Sequence, residues 1–131
     1  MTTPPPAGPR PALHAFVLLV FLSLWTWKLL EPYPVPEDLR EGLAKAGLSF
    51  AAAKTLHAAG YAFLAVLAGT LPGSRSRRRA LIALLALHGV ATEVLQDVLP
   101  FNRTGRFYDV LIDWSGIALG LLALRLMKRP V

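Results

Sequence analysis

Four long apolar stretches alternate with short polar segments along this chain. They cover residues 12–30, 49–71, 80–99 and 108–127. An α-helix needs roughly 20 mostly apolar residues to cross a bilayer, and each stretch meets or nearly meets that length. The pattern therefore predicts an all-α polytopic membrane protein, in which one domain over residues 12–127 forms a bundle of four transmembrane helices.

The composition favours a membrane protein over a soluble domain. Hydrophobic residues make up 54% of the chain, only 17% of the residues are charged, and the mean hydropathy is +0.48. Soluble domains are about 25% charged. The chain contains no cysteine, which excludes a disulfide framework, a thiolate metal site and a cysteine nucleophile. A formal charge of +6 would suit nucleic acid, but the basic residues cluster at the ends of apolar stretches. We therefore expect membrane lipids as partners and no nucleic acid.

Basic clusters predict the orientation of the four spans. The segment PGSRSRRR joins the second and third spans without an acid, and the end of the chain adds Arg125, Lys128 and Arg129, again without an acid. Loops rich in Lys and Arg stay on the cytoplasmic side. We therefore expect both termini in the cytoplasm, with a disordered proline-rich tail at 1–11 and a basic tail at 128–131. A cleaved signal peptide is the alternative for the first span, but that span is long and lacks a small-residue cleavage site.

The first connecting segment is predicted to lie on the outer surface of the membrane. After three alternating prolines it carries Leu39, Leu43 and Leu48 along one side, which is typical of a short amphipathic helix at the interface. Trp25 and Trp27 are expected in an aromatic belt at the outer end of the first span.

Ionisable side chains inside the spans mark a candidate site. Each costs about 2.5–3.5 kcal/mol on membrane-insertion scales, so its presence is a functional-site hypothesis. Lys54, His57 and Tyr61 share one face of the second span because they are three and four residues apart. Glu93 and Gln96, three residues apart, share a face of the third span.

The fourth span contributes two more carboxylates. Asp109 and Asp113 are four residues apart and share one face. With a rise of 1.5 Å per residue, three of the spans bring charge to depths of about 7–9 Å below their outer ends. We predict one polar cluster that opens to the extracytoplasmic side, with two arginines in the loop above it. The predicted binding residues are Lys54, His57, Tyr61, Glu93, Gln96, Arg103, Arg106, Asp109 and Asp113.

A structural role is the alternative for this cluster, because an ion-pair network can hold three helices together without binding a ligand. His88, in the middle of the third span, is expected to serve packing or a helix–helix hydrogen bond. Gly116 and Gly120 have the small-xxx-small spacing that allows close helix contact.

The ordered set of motifs resembles the VanZ-like family of small membrane proteins. That family carries Lys-x-x-His-x-x-x-Tyr at the start of one span and Glu-x-x-Gln at the end of the next. A Pro and an Arg follow, and then Asp-x-x-x-Asn-x-x-Gly-x-x-x-Gly in the last span. The resemblance covers about residues 50–120, and the matching residues are Lys54, His57, Tyr61, Glu93, Gln96, Pro100, Arg103, Asp109, Gly116 and Gly120.

Two positions and one insertion depart from the family pattern. Ala53 stands where the family often has Asp, and Asp113 stands where it usually has Asn. One inserted residue leaves both Arg103 and Arg106 as matches for the family arginine.

The resemblance implies a four-span, multi-pass protein of the bacterial plasma membrane with a role in the cell envelope. The named member of the family is tied to low-level resistance to the glycopeptide teicoplanin, and most relatives have no assigned activity. We therefore expect a lipid-linked or glycopeptide-like ligand. Arg103, Arg106 and Lys54 would bind its anionic group, while the acids and Gln96 would orient these bases or accept donors from the ligand.

A membrane enzyme is the third interpretation. His57 with Glu93 or Asp113 could supply a general acid and base or ligate a metal. The chain has no HxxxH or HExxH spacing and no evident nucleophile, so we favour a non-enzymatic protein and expect no cofactor and no metal. The sequence does not fix the oligomeric state.

Overall fold

The computed structural model describes residues 11–32, 35–99 and 105–127. Both predicted tails, except for Pro11, and also Pro100 and Arg103, lie outside the described residues. Within the described ranges the chain forms five α-helices and no strand: α1 (Pro11–Leu30), α2 (Glu37–Lys45), α3 (Ser49–Thr70), α4 (Arg75–Val98) and α5 (Phe107–Met127).

Four of these helices, α1, α3, α4 and α5, are long and apolar enough to cross a membrane. In the most apolar part of each, at most 33% of the residues are buried inside the bundle. Large apolar side chains such as Phe16, Leu84 and Leu119 instead project from its outer surface. Soluble monomers rarely expose apolar patches of that extent, so the fold indicates a membrane protein, as the sequence predicted.

Local sequence accounts for two of the helix ends. The α4 helix begins at Arg75, five residues before the predicted third span, because the Ser74 hydroxyl accepts the backbone N–H of Arg77 at 3.1 Å and caps the helix. The α2 helix ends before Gly47, whose φ of 69° lies in the left-handed region that glycine adopts without strain.

The long helices run alternately up and down. His14 near the start of α1 hydrogen-bonds Thr70 at the end of α3 at 3.2 Å. At the opposite end of the bundle, the Gln96 side chain near the end of α4 donates to the carbonyl of Leu29 near the end of α1 at 2.8 Å. Lys54 and Asp109, near the starts of α3 and α5, form an ion pair, so α5 runs in the same direction as α3. The described start of α1 and the described end of α5 therefore lie at the same end.

Helices α3 and α5 form the most extensive helix pair. A Cβ atom at Gly116 would overlap the carbonyl oxygen of Ala58, and one at Gly120 would overlap that of Ala62. Because neither glycine has a side chain, the two backbones approach closely, as the small-xxx-small spacing predicted. This approach brings the polar faces of α3 and α5 into direct contact.

The expectation for Trp25 was wrong. Its ring packs edge-on against the rings of His57 and Tyr61, with centroids 6.4 and 6.2 Å away, and fits over Gly60 of α3. Trp25 therefore fills the groove between α1 and α3 instead of standing in an aromatic belt. Trp27 does project outward, and the ammonium of Lys28 lies 5.0 Å from its ring.

Candidate functional site

The facing sides of α3 and α5 join through two buried polar pairs. Lys54 forms an ion pair with Asp109, and one helical turn deeper Nδ1 of His57 donates to Oδ1 of Asp113 at 2.9 Å. The side chains of the outer pair are 15% and 9% exposed, and those of the inner pair are 7% and 0% exposed. The two pairs lie one helical turn apart because Lys54 and His57 are three residues apart on α3, and their partners are four residues apart on α5.

Glu93 places α4 beside these two pairs. Its side chain is buried, and Oε2 accepts the backbone N–H of Arg106 at 2.7 Å. In the same way, the backbone N–H of Gly105 donates to Asp97 at 2.9 Å. A Cβ at Gly105 would overlap the backbone carbonyl of Glu93, so a glycine is required where the chain enters α5 so close to α4.

His57, Glu93 and Asp113 form a compact buried group, which we call the buried triad. One ligand atom from each lies within 4.8 Å of the other two. Oε1 of Glu93 and Oδ2 of Asp113 are both buried and have no hydrogen-bond partner in the part of the chain that the structure describes. Buried acceptors are normally paired. The triad therefore offers two unused carboxylate oxygens, which suit hydrogen-bond donors of a ligand or, with the imidazole, a divalent cation.

A second polar group lies deeper along the same helices. The hydroxyl of Tyr61 hydrogen-bonds Nδ1 of His88 at 2.9 Å, and Nε2 of His88 contacts the hydroxyl of Thr26 on α1 at 2.8 Å. Thr92 on α4 lies 3.4 Å from the Tyr61 hydroxyl. This network satisfies each of its polar groups and connects α1, α3 and α4, so it serves the helix contact that was predicted for His88.

Sequence reasoning did not identify Thr26 and Thr92 as members of this network. Thr92 follows His88 by four residues and therefore shares its helix face, which is a signal that could have identified it. Thr26 lies on another helix, and nothing in the local sequence of α1 indicates which residue it meets.

The predicted binding residues thus separate in space. The structure brings together Lys54 with Asp109, and His57 with Glu93 and Asp113, at one end of the bundle. Tyr61 belongs to the deeper network, and Gln96 contacts the backbone of α1 instead of the carboxylates. Arg106 touches Glu93 through its backbone, while its side chain is exposed and forms no ion pair with any described residue.

A narrow cavity leads from the surface toward His57. It has a volume of about 60 Å³, and it adjoins a groove of about 490 Å³ between α2 and α3. The cavity and the groove share Val35, Ala53 and Leu56 as lining residues. The walls of the groove come from Leu39 and Leu43 among others, which places the apolar side of the amphipathic α2 helix against α3.

His57 and Asp113 can be compared with the base and acid of a catalytic triad. Asp113 orients His57 as an acid orients a catalytic histidine, but within the described ranges no hydroxyl hydrogen-bonds His57. Among the described residues, the arrangement is therefore a base with its orienting acid.

Comparisons with known proteins find no family model, no curated protein and no solved structure that matches this chain.

Proposed function

We propose that this chain is a VanZ-like, four-span protein of the bacterial plasma membrane that binds a lipid-linked or glycopeptide-like ligand in the cell envelope. The binding site is the buried triad together with the loop before α5, and it opens to the extracytoplasmic side. The observation that carries this proposal is the pair of buried, unpartnered carboxylate oxygens on Glu93 and Asp113.

The charges at this end of the bundle support a ligand with donor groups. Three carboxylates, those of Glu93, Asp109 and Asp113, face one lysine and one histidine, and Asp109 already pairs with Lys54. Leaving a buried carboxylate oxygen without a donor costs about 1–3 kcal/mol or more. Hydroxyl, amide or amine groups of a ligand would satisfy both oxygens, and such groups are abundant in lipid-linked sugars and glycopeptides.

The surroundings of the triad suit the rest of such a ligand. The groove between α2 and α3 is lined mainly by apolar side chains and leads toward His57, so it can accept a hydrocarbon chain or an aromatic group. The exposed Arg106 side chain, which has no ion pair among the described residues, can bind a phosphate or carboxylate of the ligand, since its backbone lies beside Glu93. Arg103 is proposed for the same role.

The proposed orientation places both termini in the cytoplasm. Four arginines at the start of α4 and Arg125 at the end of α5 lie at one end of the bundle without an acid, and the positive-inside rule assigns that end to the cytoplasm. A reporter that is active only in the cytoplasm, fused after Val131, is expected to be active. An inactive C-terminal fusion with an active fusion in the segment between α1 and α2 would reverse this topology.

A purely structural role for the cluster is the second candidate. Each of its described contacts joins two segments: Lys54 with Asp109, His57 with Asp113, and Glu93 with the chain before α5. An ion-pair network of this kind would hold α3, α4 and α5 together with no ligand.

Two substitutions of Glu93 separate the two candidates. In Glu93→Gln the side-chain oxygen can still accept the Arg106 N–H, while the unpartnered oxygen becomes an NH₂ group that cannot accept a donor. Glu93→Ala removes both functions. Binding of teicoplanin and of an undecaprenyl-pyrophosphate-linked peptidoglycan precursor to the purified protein is measured by native mass spectrometry, alongside membrane abundance.

The ligand-site proposal expects Glu93→Gln to reach normal abundance and to lose at least tenfold in affinity for one of the two probes. Glu93→Ala should show the same loss of binding together with reduced abundance. If the unaltered protein binds neither probe, or if Glu93→Gln binds both as tightly as the unaltered protein, the ligand site is refuted and the structural role stands.

A further inference from the structure

A groove at the end of the bundle opposite the buried triad has two chemically distinct parts. It has a volume of about 530 Å³ and lies where α3 ends, α4 begins and α5 ends. Its rim carries four arginines and its floor is apolar. The rim is formed by Arg75, Arg78, Arg79 and Arg125, and the floor by Ile82, Ala83, Ala86, Leu121 and Leu124 with Gly69.

The helical repeat of α4 separates these two parts along the axis of the bundle. Arg75, Arg78 and Arg79 occupy the first turns of one helix face, and Ile82 and Ala83 continue the same face one turn deeper. On α5 the order matches, because the arginine lies nearer the end of the helix than the leucines. The groove therefore presents positive charge at the level of the helix ends and hydrocarbon below it.

The positive charge in this groove has no acidic partner among the residues that the structure describes. Within the described residues, none of the four arginines forms an ion pair or a side-chain hydrogen bond. All eight acidic residues lie within residues 31–41 and 93–113, toward the other end of the bundle. Four guanidinium groups in one groove repel one another, so an anion between them is favoured.

We propose that this groove binds an anionic phospholipid. The arginines hold its phosphate and headgroup, and one acyl chain lies on the floor between α4 and α5. A soluble phosphate would use the rim alone, whereas a phospholipid matches both the charge of the rim and the apolar floor in their observed order. Basic pockets between transmembrane helices are suited to such lipids. This inference rests on the proposed insertion in the membrane but is independent of the ligand proposed for the buried triad.

The test compares phosphatidylglycerol with phosphatidylcholine of identical acyl chains, each added to the purified full chain and followed by native mass spectrometry. Phosphatidylglycerol is expected to bind at least tenfold more tightly. Arg78→Gln combined with Arg125→Gln should remove this preference. The matched control is Arg77→Gln combined with Lys45→Gln, which removes the same charge from two exposed residues that do not line the groove, and it should change the affinity less than twofold.

A second pair of variants tests whether the apolar floor of the groove contributes to lipid binding. Ala83 and Ala80 are both exposed on α4, but only Ala83 lines the groove. Ala83→Trp is expected to weaken phosphatidylglycerol binding at least fivefold, whereas Ala80→Trp should leave it unchanged.

Three results would overturn the proposal: equal binding of the two lipids, equal effects of groove and control variants, or competition by glycerol phosphate at the affinity of the whole lipid. A lipid-free dimer that forms through this face in the same spectra would also overturn it. Glu93→Gln should bind phosphatidylglycerol normally, so failure of the ligand site at the triad is distinguished from failure of the lipid site.

Discussion

Asp113, fully buried on α5, accepts a hydrogen bond from Nδ1 of His57 on α3 at 2.9 Å. This pair connects the two most closely packed helices of the bundle, and the second oxygen of the same carboxylate has no partner among the described residues. One residue thus stabilises the fold through one atom and offers an unused acceptor through the other.

Substitutions of Asp113 should separate these two contributions. Asp113→Asn keeps an oxygen that can accept from His57, so the free energy of unfolding should change by less than about 1 kcal/mol. Asp113→Ala leaves the buried imidazole without its partner and should lower that free energy by about 1–3 kcal/mol. The measurement is reversible unfolding in mixed detergent. Equal losses in the two variants would show that the hydrogen bond to His57 does not stabilise the fold.

The Lys54–Asp109 pair should couple energetically, because both side chains are mostly buried. In a double-mutant cycle of Lys54→Gln and Asp109→Asn, each single change leaves one charge unpaired and the double change leaves none. We expect a coupling energy of about 1–3 kcal/mol in the free energy of unfolding. Additive effects of the two changes would contradict the ion pair.

The close approach of α3 and α5 depends on the absence of a side chain at Gly116. Gly116→Ala would force its methyl group against the Ala58 carbonyl and should cost about 1–3 kcal/mol of stability as the helices separate. The matched control is Gly42→Ala in α2, where nothing lies within 4 Å of the added methyl group, and it should be neutral or slightly stabilising. The midpoint of thermal unfolding compares the two, and equal shifts would contradict the helix contact.

Disrupting the hydrogen-bond network around His88 should lower the stability of the protein and leave ligand binding intact. His88→Leu breaks the contacts of His88 with Tyr61 and Thr26 and should lower the free energy of unfolding by about 1–2 kcal/mol. Its affinity for the probe that the Glu93 experiment identifies should stay within twofold of that of the unaltered protein. A tenfold loss of affinity would extend the binding site to this depth.

The buried triad should not hold a metal in the resting protein. Nδ1 of His57 already donates to Asp113, so coordination through that nitrogen would break a buried hydrogen bond, and only the unused oxygens of Glu93 and Asp113 would be left as ready ligands. Elemental analysis of the purified protein is expected to find less than one tenth of an equivalent of zinc, manganese or iron, and EDTA should leave the unfolding midpoint unchanged. A stoichiometric metal that disappears in Glu93→Gln would make the triad a metal centre.

The separation of basic and acidic residues to opposite ends of the bundle could be predicted, because it follows from their positions relative to the apolar stretches. Arg75 to Arg79 lie just before the apolar stretch 80–99, Glu93 lies near the other end of that stretch, and Asp109 lies at the start of the next one. Helices that alternate in direction must therefore gather the two signs of charge at opposite ends of the bundle. The face shared by Lys54 and His57, and that shared by Asp109 and Asp113, followed from helical spacing in the same way.

The sequence by itself determined how many long helices form, how long they are, and at which end of the bundle each polar residue lies. Only the tertiary structure decided which residues meet: His57 with Asp113, Gln96 with the Leu29 carbonyl, and Trp25 inside the bundle instead of at its edge. The physical reason is that most positions of α1, α3 and α5 are apolar, so helical spacing identifies a polar face on α3 and α5 but not the residue that each side chain meets on a neighbouring helix. Those meetings are set by packing between helices, as in the close approach of Gly116 to Ala58.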